Sequence, residues 1–111
     1  MASNRQLKVA KQIQQDLAEI FRLKAAEFSG NMISVTHVEM TPDLGTAKVY
    51  LSIFPAPDKQ QILTDIKAET KGIRFELGKK IKNQLRKVPE LYFYLDDSLD
   101  QAERISELLK K

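Results

Sequence analysis

With 111 residues, no cysteine and a formal net charge of +3, the chain is expected to fold as a single domain over 1–111, large enough to bury one core without covalent staples. The missing cysteines exclude disulfides, thiolate metal sites and a thiol nucleophile. No apolar run of the signal-peptide kind and no stretch of about 20 apolar residues occurs, so a soluble cytoplasmic protein without membrane contact is expected.

Ser3 and Gln6 have the spacing of a capping box, and Val9, Ile13, Leu17, Ile20 and Phe21 then keep a helical period to about Glu27, where Ser29-Gly30-Asn31 ends the element. Its outer face carries Arg5, Lys8 and Lys11. Over 32–40 the β-branched Ile33, Val35, Thr36 and Val38 predict a strand, with a change of phase between Val35 and Val38 that calls for a bulge or for burial of both faces. Thr41-Pro42-Asp43-Leu44-Gly45 is turn chemistry, so the strand after it closes a hairpin. Ala47, Val49, Leu51 and Ile53 form its core face, and Lys48, Tyr50, Ser52 and Phe54 its outer face.

Pro55-Ala56-Pro57 reads as a stiff connector, followed by a helix that Asp58 and Gln61 cap in the manner of Ser3 and Gln6. This helix runs on into 71–89. Ile66, Ile73, Leu77, Ile81 and Leu85 make one buried stripe there, and Pro89 is expected to stop the helix. Gly72 and Gly78 weaken it, and Gly72 is the expected bend. Over 91–95, Leu91, Phe93 and Leu95 face inward and Tyr92 and Tyr94 outward, predicting a third strand. Ser98 with Gln101 caps a last amphipathic helix carrying Leu99, Ala102, Ile105, Leu108 and Leu109.

The segment 71–87 holds seven basic residues against Glu76 alone. Lys71, Lys79, Lys82 and Arg86 fall on one polar arc with Phe75 in its middle, which is the pattern of a nucleic-acid surface: point charges for phosphate and a ring for base stacking. The other reading of the same arc is a solvated outer face with Phe75 tucked under a loop. Chemistry for catalysis is poor. His37 is the sole histidine, Asp96-Asp97 precedes a helix start, and Gly72 to Gly78-Lys79-Lys80 fails the spacing of a phosphate loop. A binding module, not an enzyme, is expected, with no cofactor and no metal.

The text SVTHVEMTPDLGTAKVYLSIF, the run IRFELGK and VPELYFYLDDSLDQAERISELL together resemble the ribosome-binding factor A family over nearly the whole chain. Asp43, Leu44, Ala47, Val49 and Tyr50 carry one signature, and Pro89, Glu90, Leu91, Phe93, Asp96 and Ser98 the other. The resemblance implies an α+β, type II KH-like domain of order α-β-β-α(kink)α-β-α, with a three-stranded mixed sheet and helices on one face. It implies a bacterial factor, needed most in the cold, that binds immature small (30S) ribosomal subunits and their 16S ribosomal RNA during late maturation and 5′-end processing. Such a factor has no small-molecule substrate and is expected to be a monomer off the ribosome. The family's Ala-x-Gly kink corresponds to Thr70-Lys71-Gly72 here. RNA contact is expected at Lys71, Arg74, Phe75, Lys79, Lys82 and Arg86, assisted by Arg5, Lys8 and Lys11. The alternative is a protein-interaction module using Tyr50, Phe54, Tyr92 and Tyr94 on the outer sheet face.

Overall fold

The structure, a computed structural model, describes residues 3–54 and 58–96. The expected Pro55–Pro57 connector and the last helix, with its Ser98 cap and its Leu99, Ala102, Ile105, Leu108 and Leu109 stripe, lie outside the described residues. The elements run α1 (Asn4–Leu23), a 3-10 turn (Ala25–Phe28), β1 (Met32–Met40), β2 (Thr46–Phe54), α2 (Lys59–Ala68), α3 (Thr70–Ile81) and β3 (Glu90–Leu95). The strands form one mixed sheet in the order β1-β2-β3, with β1 antiparallel and β3 parallel to β2.

At the start of α1 the capping box forms as its spacing predicts: Gln6 N–H donates to Ser3 Oγ at 3.1 Å, and Ser3 N–H donates to Gln6 Oε1 at 2.8 Å. Gln6 does more than cap, since its Nε2 also donates to the Met40 carbonyl at 3.1 Å and so fixes the helix start to the end of β1. Ala10, Ile13, Leu17, Ile20 and Phe21 bury the inner face of α1 against the sheet. Asp58 caps α2 by accepting from Gln61 N–H, whereas the Gln61 side chain bonds Asp65 and does not reach back.

The phase change in β1 is a bulge. The register with β2 shifts between Val35 and His37, which leaves Thr36 as the extra residue. Gln14 Nε2 donates to the Val35 carbonyl at 2.9 Å, so a backbone acceptor at the bulge is met by a side chain, and the Thr36 hydroxyl donates to Asp96 Oδ2 at 2.5 Å. Val35 and Val38 are thereby both returned to the core. At the hairpin turn Leu44 adopts φ 60°, and the Asp43 carboxylate accepts from the Thr41 hydroxyl at 2.6 Å and from Gly45 N–H at 2.9 Å.

Two expectations for the central helix are corrected. The bend is at Glu69 (φ −94°, ψ 7°), one residue before Thr70, while Gly72 lies inside α3. The Thr70 hydroxyl donates to the Lys67 carbonyl at 2.7 Å, replacing a backbone bond that the break removes. The helix also ends at Ile81, well short of Pro89. Residues 82–89 turn back along α3, and Leu85, in phase with the stripe by sequence, packs half-buried against the core from this returning segment. Ile66, Ile73, Leu77 and Ile81 are each at most 1 % exposed, so the stripe itself is where its period places it.

Candidate nucleic-acid interface

Along the outer side of α3, Lys71, Phe75 and Lys79 follow one another at steps of four and form a ridge. Phe75 is 65 % exposed, so no described loop covers it. The Lys79 ammonium stands 4.6 Å from the Phe75 ring centroid and 3.5 Å from Glu76 Oε1. A cation held at the ring and a flat apolar face open to solvent is a pairing that suits a base and its phosphate.

Arg74 sits differently. Its Nε donates to the Pro89 carbonyl at 3.0 Å and its Nη2 to the Val88 carbonyl at 2.9 Å, with Glu90 Oε1 at 3.9 Å from the same Nη2. The fork of one guanidinium thus holds two successive carbonyls, a geometry that lysine cannot reproduce. Gly78 complements it, because a Cβ there would lie 3.0 Å from Val88 Cγ2 and the Val88 side chain would have to give by a few tenths of an ångström. Arg74 and Gly78 latch residues 82–89 to α3.

The latch decides where Lys82 and Arg86 go. They leave the helix arc and line a cleft of about 470 Å³ between the first turn of α1, the hairpin turn and the returning segment. Arg5, Lys82, Arg86 and Lys87 are the cationic residues that line this cleft, and Asp43 is the acid among its lining residues. The Asp43 carboxyl is held below the usual carboxylate range, chiefly by the Thr41 hydroxyl and the Gly45 amide and in smaller part by the positive charge of Lys87.

Of the nine residues expected at an RNA surface, Lys71, Phe75 and Lys79 therefore share the ridge, and Arg5, Lys82 and Arg86 share the cleft. Arg74 braces the segment between them, and Lys8 and Lys11 are exposed farther along α1 without lining the cleft. Sequence reasoning missed Lys87 and Asp43. The signal for Lys87 was present in the charge run, whereas Asp43 reads in the sequence only as a turn residue and comes to lie by the cationic segment only in the fold. On the outer sheet face Tyr50 and Tyr94 stack at 5.5 Å, His37 flanks Tyr50 at 5.8 Å, and Phe54 and Tyr92 stand exposed opposite Met32 and Lys48. Among the described residues no group of three or more His, Asp or Glu side chains could hold a metal, and no helix is long and apolar enough to cross a membrane.

Comparison with known proteins gives a consistent result. Residues 5–109 match the family model described as ribosome-binding factor A. The chain is 46 % identical over 112 residues to ribosome-binding factor A of Cytophaga hutchinsonii, covering 100 % of this chain and 84 % of the relative. It is also similar in structure to the crystal structure of ribosome-binding factor A from Thermus thermophilus, with a TM-score of 0.67, 20 % identity and coverage of 81 % of this chain and 94 % of that one. A Thermus thermophilus ribosome binding factor A fitted into the map of a 30S complex is similar at a TM-score of 0.65 and 18 % identity, covering 79 % and 91 % of the two chains.

Proposed function

The chain belongs to the ribosome-binding factor A family, and from that membership we propose that it is a cytoplasmic assembly factor that binds immature small ribosomal subunits by their ribosomal RNA. It acts late in maturation, including the processing of the RNA's 5′ end, and is needed most in the cold. It binds and does not catalyse. The observation that carries the RNA reading is the convergence of Arg5, Lys82, Arg86 and Lys87 on one cleft next to a ridge bearing an exposed ring. Cations drawn from separate segments give a cluster that diffuse surface charge does not, and each phosphate they neutralise releases counterions.

The ridge and the cleft divide the work. Lys82, Arg86, Lys87 and Arg5 hold the backbone of a strand or a helix end, while Phe75 offers a stacking face to an unpaired base and Lys71 and Lys79 hold its flanking phosphates. Asp43 opposes phosphate at one wall and so limits the direction in which the RNA backbone enters.

The test is co-sedimentation of the purified protein with small subunits from a bacterial lysate at low and at raised salt. Enrichment on free or immature small subunits that falls steeply as salt rises is the expected result. Absence of association at both salts would overturn the reading.

A further inference from the structure

Two of the three segments that line the cleft are joined at Gln6. Among the residues that α1 buries it alone is polar, and both ends of its amide are in use. Oε1 accepts from Ser3 N–H inside the helix cap, and Nε2 donates to the Met40 carbonyl, 34 residues away. Met40 is the last residue of β1, so the hairpin turn begins directly after the carbonyl that Gln6 holds. That turn is closed by Thr41 N–H donating to the Thr46 carbonyl at 3.0 Å and Thr46 N–H donating to the Thr41 hydroxyl at 3.1 Å. On its other side Glu90 N–H donates to the Gly45 carbonyl at 2.9 Å, which ties the returning segment to the same turn. The tie to the returning segment is made by backbone groups, whereas the hydrogen-bonded tie to the first turn of α1 is one side chain.

Arg5, the residue before Gln6, is placed against two electrostatic preferences. It lies in the first turn of α1, at the positive end of the helix dipole, and no acid accompanies it there. It also lines the cleft with Lys82, Arg86 and Lys87, which repel it until an anion is bound. Helix ends fray, and a helix end pushed by like charges frays more readily unless something fixes it.

We propose that Gln6 is a positioning residue for phosphate binding: its bond to Met40 holds the first turn of α1, and with it Arg5, at the cleft before RNA arrives. Arg5 then meets a phosphate without first having to be ordered. This role rests on the RNA reading of the cleft. On this assignment the contribution of Arg5 to binding depends on the bond from Gln6 to Met40 and not on the helix cap as such. Ser3 separates the two, because Ser3→Ala removes the hydroxyl that accepts from Gln6 N–H and leaves the bond to Met40 in place.

A double-mutant cycle on the full chain tests it, read as affinity for small subunits over a range of salt concentrations, with circular dichroism to check folding. Arg5→Ala is expected to make the slope of log affinity against log salt shallower by about 1, the share of one phosphate contact. Gln6→Met, close to glutamine in length but without its donor, is expected to do the same while every cation is retained. Adding Arg5→Ala to Gln6→Met is then expected to change neither slope nor affinity further. Ser3→Ala is expected to lower the urea midpoint and to keep the wild-type slope. Gln6→Asn, one methylene too short to serve both bonds, replaces Gln6→Met if the latter does not fold. A wild-type slope in a folded Gln6 variant, additive effects of Arg5→Ala and the Gln6 variant, or an equal loss of slope in Ser3→Ala would each overturn the inference and leave the RNA reading standing. A wild type that does not associate with small subunits at any salt would overturn the reading and the inference with it.

Discussion

The ridge and the cleft are both cationic, yet they are built in unlike ways. Lys71, Phe75 and Lys79 lie on one helix, so a step of four residues is enough to align them and nothing else in the chain has to be right. The cleft needs the first turn of α1, the hairpin turn and the segment 82–87 to meet, and that meeting depends on Arg74 and Gly78. A surface made by period tolerates substitution, whereas a surface made by convergence fails when its brace fails. Substitutions in the two regions are therefore expected to separate binding from stability.

The largest expected effect is on the brace. Arg74→Ala leaves the Val88 and Pro89 carbonyls without their charged donor and is expected to lower the unfolding free energy by about 2 to 3 kcal/mol, read from the urea midpoint. Arg74→Lys should recover little of it, because one ammonium cannot reproduce the fork. A fully stable Arg74→Ala would show that the returning segment is held by something else.

On the ridge, Phe75→Ala should weaken binding to small subunits by about 1 to 3 kcal/mol while the urea midpoint stays at the wild-type value, since the ring is exposed. Loss of stability in this variant, or unaltered binding, would remove the stacking role.

The smallest effect is at Asp43. Its folded carboxyl titrates below the ordinary aspartate range, so its contribution to stability is complete above that range and is lost as pH falls through the lower folded value. Asp43→Asn should make stability less dependent on pH below about 4, visible in melting temperatures collected down the acid limb, and should strengthen RNA binding at neutral pH by removing the acid from the cleft. An acid limb identical to wild type would mean the Thr41 and Gly45 hydrogen bonds do not couple to folding.

How much of this was legible in the sequence differs from element to element. The change of phase between Val35 and Val38 pointed to a bulge or to burial of both faces, and the register shows the bulge, at Thr36, because a period of two cannot keep both valines inside without an extra residue. The stripe of Ile66, Ile73, Leu77 and Ile81 was equally plain. The end of α3 was hidden because Leu85 is in helical phase with Ile81 and reaches the same core from a returning chain, so the apolar pattern is the same for two backbone paths. Gly78 was the available clue. It reads as a weak point in a helix, and its physical role is the close approach of Val88. The bend was misplaced by three residues because Gly72 is permissive without being required, while Thr70 compensates the break at Glu69 with its own hydroxyl. Arg74 could be assigned to the basic run by charge, but its choice of two carbonyls over solvent is a tertiary fact. The cleft as a unit followed from these tertiary facts and so was not legible.

If phosphate contacts in the cleft dominate binding to small subunits, the salt dependence of co-sedimentation reads them out. Lys82, Arg86 and Lys87 are exposed, so the variant carrying Glu at all three is expected to fold like the wild type. Plotted as the logarithm of affinity against the logarithm of salt concentration, its slope is expected to be shallower than that of the wild type by about 2, with affinity lower at every salt. A folded triple variant with the wild-type slope and affinity would contradict the account.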